Sequence, residues 1–153
     1  MKQIIFATGN AGKMKEIREI LDGTGWNVLS LKDAGIDADI EENGTTFEEN
    51  AKIKAEGIRN WCLENGIPAK EIIVLADDSG LEIDWLGGEP GIYSARYMGH
   101  ETSYREKNAN LISRLDGVPK EKRTARFVCA IAAALPDGNS LVTRGTIEGY
   151  IGW

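Results

Sequence analysis

The stretch up to Leu31 constrains the fold more than any other part of the chain. Gln3 to Ala7 is a short apolar run rich in β-branched and aromatic side chains, which reads as a buried strand. Thr8-Gly9-Asn10-Ala11-Gly12 breaks it, and from Lys13 to Leu21 the apolar residues Met14, Ile17, Ile20 and Leu21 recur at helical spacing. Gly23 and Gly25 stop that helix, and Trp26 to Leu31 can form a second strand. Strand, glycine loop, helix and strand in that order open an α/β fold.

The rest of the chain continues the alternation. Ile36 to Asn43 is acidic and irregular. Thr45 and Thr46 are good N-caps with Glu48 and Glu49 three residues on, so a long helix starts there; Ala51, Ala55, Ile58 and Cys62 share one face, and Asn65-Gly66 with Pro68 end it. Ile72 to Ala76 is the most apolar strand and runs directly into Asp77-Asp78-Ser79-Gly80. Leu81 to Leu86 alternates and predicts another strand, followed by a glycine- and tyrosine-containing loop over 89–99 and an amphipathic helix over 102–115. Pro136-Asp137-Gly138-Asn139 predicts a β-hairpin turn between strands at 123–135 and 140–147.

Length and charge bound what such a fold can do. With 153 residues, 42% hydrophobic and 27% charged, the chain fits one soluble domain, 1–153, that buries a core without disulfide or metal staples. Its net charge of −6 argues against a nucleic-acid partner, so any phosphate contact must come from a few placed lysines and backbone amides. No apolar stretch is long enough to span a bilayer, and the first strand reaches Asn10 too soon for a signal peptide; no membrane partner is expected, and the cytoplasm is the expected compartment. Cys62 and Cys129 match no zinc or redox spacing, and Cys129, inside an apolar run, reads as a small core residue. The single histidine, His100, suggests no role.

Four constellations can carry chemistry. Thr8-Gly9-Asn10-Ala11-Gly12-Lys13 puts glycines, side-chain donors and a lysine at a helix N-terminus, either as a phosphate cradle or as a plain tight turn; its spacing is not that of a Walker loop. Asp77 and Asp78 end a buried strand at the sheet edge where α/β proteins bind ligands, where they can hold Mg2+ or take a proton from water; the other reading is an Asp-rich turn. Glu41-Glu42 precede a helix on which Asn50 and Lys54, four apart, share a face that either reaches a metal-bound triphosphate or is simply solvated. The loop Gly87 to Tyr97 offers Tyr93, Tyr97 and a phosphate-forking Arg96, or is an ordered surface loop.

In this order and spacing, the stretches TGNAGK at 8–13, EENGTTFEENAKIKA at 41–55, LADDSGL at 75–81, LGGEPGIYSARYMG at 86–99 and TARFVCAIAAAL at 124–135 resemble the non-canonical purine NTP pyrophosphatases, the inosine triphosphate pyrophosphatase or Ham1-like family. The resemblance implies a mixed central sheet with flanking helices, in two lobes around a nucleotide cleft. It implies Mg2+-dependent hydrolysis of ITP, dITP or XTP to monophosphate and pyrophosphate for nucleotide-pool sanitation, by a homodimer whose interface lies near the 86–99 loop. Carried over residue by residue, Thr8, Gly9, Asn10, Ala11, Gly12 and Lys13 would hold the triphosphate, with Lys54 and Arg96 on phosphate and Ser79 on substrate. Glu42 and Asp78 would hold Mg2+, Asp77 would support the metal site, and Asp78 would be the general base, with Lys13 and Lys54 completing the catalytic set. Members of that family continue for several dozen residues with an FGYDP-type segment, a later lysine and a Ser-His-Arg motif that grip the base. On the resemblance the domain is therefore expected to be incomplete at its C-terminus, with an exposed apolar face and weakened discrimination against ATP and GTP. The alternative is a truncated non-catalytic nucleotide-binding or oligomer-forming remnant.

Overall fold

The computed structural model describes residues 2–8, 10–67, 72–94, 97–98 and 103–153. Strand β1 (Lys2–Ala7) is followed by helix α1 (Ala11–Ile20), β2 (Trp26–Ser30), α2 (Phe47–Glu64), β3 (Ile72–Ile83), α3 (Tyr104–Arg114), β4 (Thr124–Ala134) and β5 (Ser140–Tyr150). The five strands form one sheet in the order β2-β1-β3-β4-β5. β1 is central to the parallel part: it pairs with β2 from Lys2 opposite Trp26 to Phe6 opposite Ser30, and with β3 from Gln3 opposite Ile72 to Ala7 opposite Ala76. Gly9, Arg96, His100 and Pro68 lie outside the described residues.

The caps follow the sequence. Asn10 caps α1 by accepting from the Lys13 amide at 3.1 Å. Thr46 caps α2 by accepting from the Glu49 amide at 3.0 Å, while the Glu49 carboxylate reaches back to the Thr45 amide at 2.7 Å, a capping box displaced by one residue. Ala51, Ala55, Ile58 and Cys62 are all buried on one face of α2, as their spacing predicts.

Three expectations need correction. β3 does not stop at Ala76; it continues through Asp77-Asp78-Ser79-Gly80 to Ile83, because side chains that favour turns are tolerated in a strand that is hydrogen-bonded within a sheet. The predicted strand over 81–86 is therefore the end of β3, closed by one 3-10 turn at Asp84–Leu86. Cys129 is only half-buried, since β4 alternates and Val128 and Ala130 take the buried side.

The chain divides into two compact units, Met1–Asp78 with Ala130–Thr143, and Ser79–Cys129 with Arg144–Trp153. In the first unit, Ile4, Phe6, Met14 and Val28 form a core joined by Ile17, Leu21, Trp26, Ile73 and Leu75. In the second, Ile83, Leu111, Leu115, Val118 and Ala125 pack with Leu81, Leu86, Tyr97 and Ile151. That unit also buries Arg123, at 1% exposure. Its guanidinium donates to the carbonyls of Leu115 at 2.7 Å, Ile151 at 3.1 Å and Gly152 at 2.8 Å, which satisfies the charge with backbone oxygens.

Candidate active site

The site starts from the parity of β3. Successive side chains of a strand point to opposite faces. Ile73 and Leu75 pack with Met14 of α1, so Asp77 points to the α1 face, where its carboxylate pairs with the Lys13 ammonium. Val74, Ala76 and Asp78 share the other face. There Asp78 meets Asn50 and Lys54 from α2 and Glu42 from the segment before it. The two adjacent aspartates thus belong to different helices.

Thr8, Asn10 and the first turn of α1 lie at the same end of the sheet, because Ala7 pairs with Ala76 and β1 ends where β3 reaches Asp77 and Asp78. The Thr8 hydroxyl accepts from the Asn10 amide at 3.2 Å. Ala11 and Gly12 are exposed in the first turn of α1, where a helix has amides without intrahelical acceptors. Thr8, Asn10 and Ala11 also border a cavity of about 580 Å³ that runs along α1 past Arg18 to Ser30 and Asp33. Asp78 is not among its walls, so the charged groups, rather than this cavity, define the candidate site.

On the α2 face, the Lys54 ammonium lies 3.1 Å from the Glu42 carboxylate, both about three-quarters buried. Asp78 is the most perturbed carboxyl here. Burial pushes its pKa up to about 6 against the opposing Asn50 hydrogen bond; the nearby Glu42 charge adds to the rise, Lys54 opposes it, and Asp77 adds to it. One carboxylate oxygen, Oδ2, is buried without a hydrogen-bond partner among the described residues. The arrangement offers a carboxyl that titrates near neutrality, two cations and a helix N-terminus at one sheet edge, the inventory for binding a polyanion and moving a proton.

Of the predicted site residues, the structure brings Glu42, Lys54 and Asp78 together and pairs Lys13 with Asp77. Ser79 follows Asp78 in β3; Gly9 and Arg96 lie outside the described residues. Among the described residues no three acidic, histidine or cysteine side chains converge on one point. Asn50 was visible in sequence only as a helix-face neighbour of Lys54, four residues away. Its burial beside Asp78 follows from the α2 register, since position 50 adjoins the buried positions 47 and 51.

A model of the Ham1 family matches residues 4–153. The chain is 48% identical to a dITP/XTP pyrophosphatase of Clostridium perfringens over 151 residues, 99% of this chain and 73% of that one. It is 47% identical to the dITP/XTP pyrophosphatase of Bacillus subtilis, covering 72% of it. The fold superposes on the Staphylococcus aureus Ham1 protein with a TM-score of 0.83 at 38% identity, over 99% of this chain and 72% of that one.

Proposed function

This chain belongs to the Ham1 family, and from that footing we propose that it hydrolyses non-canonical purine nucleoside triphosphates, among them dITP, XTP and ITP, to the monophosphate and pyrophosphate. The observation that carries the reading is Asp78: a carboxyl with a pKa of about 6, one oxygen buried and without a hydrogen-bond partner among the described residues, and Glu42 and Lys54 beside it. In water such an oxygen would be solvated; buried and unpaired, it is costly unless a cation or a reacting proton uses it.

An oxygen-only donor set with a carboxylate oxygen to spare suits Mg2+, which commonly takes one or two protein carboxylates and fills its shell with water and phosphate oxygens. Glu42 and Asp78 would hold it, with Asp77 as a supporting charge; when bound, the ion neutralises phosphate oxygens and orients the triphosphate. Loop 8–13 cradles the polyphosphate on its amides, and Lys13 exchanges part of its pairing with Asp77 for phosphate. Lys54 and Lys13 stabilise the charge that builds on the departing pyrophosphate. Asp78 takes the proton of the attacking water as the bond between the α- and β-phosphates breaks. Ser79 contacts substrate and Arg96 grips phosphate. The same reading includes a homodimer working in the cytoplasm without a nucleic-acid or membrane partner; the net charge of −6 supports the first exclusion. No helix among the described residues is long and apolar enough to cross a membrane.

The test is pyrophosphate release from dITP, XTP and ITP, with and without Mg2+. Turnover should require the metal, fall by roughly 10³-fold or more in Asp78→Asn and by roughly 10- to 100-fold in Lys54→Ala. Release from none of the three, or an Asp78→Asn protein as fast as the parent, would overturn the reading.

A further inference from the structure

Residues 36–44 belong to no helix or strand, yet their exposure alternates as it would in a strand. Ile36, Ala38, Ile40, Glu42 and Gly44 are partly or fully buried, and the odd-numbered residues between them are exposed. The last three of the inward set meet α2. Ile40 lies against Gly57, where a Cβ would come within 2.9 Å of its carbons. The Glu42 carboxylate lies 3.1 Å from the Lys54 ammonium. The Gly44 amide donates to the side-chain oxygen of Asn50 at 2.8 Å. Positions 57, 54 and 50 are three and four apart, so they form one stripe along the helix. Two extended residues advance about 6.6 Å and one helical turn about 5.4 Å, close enough for every second residue of the segment to find the next turn of α2.

The three contacts differ in what they can fix. An apolar contact such as Ile40 on Gly57 is not directional. The ion pair joins two long side chains, which can follow each other without moving the backbone. The bond at Gly44 is directional and grips the backbone itself. Its acceptor is a short side chain, 3% exposed, on a helix. The fit leaves no slack: a Cβ on Gly44 would lie 2.8 Å from the Asn50 oxygen and 2.8 Å from Cβ of Glu49. Gly44 lacks a side chain where Asn50 must reach its amide.

We propose that Asn50 and Gly44 are positioning residues for the metal seat: the buried amide holds the Gly44 backbone against α2 and so sets where the Glu42 carboxylate, two residues upstream, meets Mg2+. The inference rests on the function proposed above, in which Glu42 holds that ion, and both residues act only through Glu42. A purely structural pair would matter for stability and leave the metal requirement where it is.

The experiment compares Asn50→Ala and Gly44→Ala with the parent. The first removes the acceptor and the second displaces the donor, so either decides if the other fails to fold. In dITP hydrolysis across a Mg2+ series, the half-activating Mg2+ concentration should rise roughly 10- to 100-fold, with kcat at saturating Mg2+ within about threefold of the parent. An unmoved half-activating concentration, or a loss of kcat that saturating Mg2+ leaves in place, overturns the proposal. Two readouts need no activity. Mn2+ titrated into metal-free protein and followed by electron paramagnetic resonance should bind more weakly in both variants, and equal binding overturns the link to Glu42. In 15N-labelled protein the Gly44 amide should exchange slowly with solvent in the parent and fast in Asn50→Ala, while the Ala55 amide inside α2 is unchanged. Fast exchange of Gly44 in the parent overturns the geometry. If the parent releases no pyrophosphate, the functional reading fails, and Mn2+ binding with amide exchange still decides whether Asn50 sets Glu42.

Discussion

Asp78 works against the stability of the fold that holds it. Burial outweighs the Asn50 hydrogen bond and the Lys54 charge, and the pKa rises from 3.8 to about 6. A carboxyl whose pKa is raised on folding favours the folded state when protonated; that contribution is complete below about pH 4 and is lost as pH climbs through about 6. At about pH 7.5 the ionised group is therefore a net cost. Asp78→Asn, of the same shape and neutral, should raise the melting temperature there by a few degrees, at roughly 2–4 °C per kcal/mol for a chain of this size, while removing hydrolysis. At about pH 4 the two proteins should melt together. Calorimetry in metal-free buffer at both pH values checks the sign, and equal destabilisation at both would mean that Asp78 supports the fold instead.

The segment before α2 and the helix itself act together to place Glu42. Ile40 packs on Gly57, where a Cβ would lie 2.9 Å from two of its carbons. Farther along, Gly44 is held by Asn50, and Thr45 by Glu49. Between those anchors Glu42 meets Lys54. Gly57→Ala therefore sets two effects against each other. The helix gains up to about 1 kcal/mol of propensity, and Ile40 must move. Stability should change little, within about 1 kcal/mol by urea unfolding, but kcat/KM should fall roughly tenfold because Glu42 moves with Ile40; an unchanged rate would show that the segment is not what sets Glu42. These elements also show what sequence reading reaches. The strand–loop–helix opening, the buried face of α2 and the hairpin turn are local patterns, and each is found where its pattern puts it. The continuity of β3 is not local. Asp, Ser and Gly favour turns, and only pairing within the sheet keeps 77–80 extended. The local pattern ends that strand at Ala76, which leaves the divergence of Asp77 and Asp78 invisible in the sequence. Arg123 was equally hidden, because nothing local distinguishes an arginine that buries itself on three carbonyls from one in solvent.

At the scale of the whole molecule, the outermost strand carries a row of exposed apolar side chains among the described residues. β5 ends the sheet order, and Leu141, Ile147 and Tyr150 along it are 59%, 73% and 58% exposed, with Trp153 just beyond at 79%. An exposed terminal strand of this composition offers unpaired backbone groups and apolar side chains to other chains, and proteins commonly blunt such strands with lysine. β5 contains none. The double substitution Leu141→Lys and Ile147→Lys should lower concentration-dependent association, read as a drop in light scattering across a dilution series. Scattering identical to that of the parent would place the sticky surface elsewhere.

Two chemically identical neighbours in β3 answer to different helices, and only the alternation of the strand tells them apart. Their fates under mutation are therefore separate. Deleting one residue upstream in β3 would change no functional group, yet it would transpose both carboxylates, turning Asp78 toward Lys13 and leaving a different side chain against Lys54.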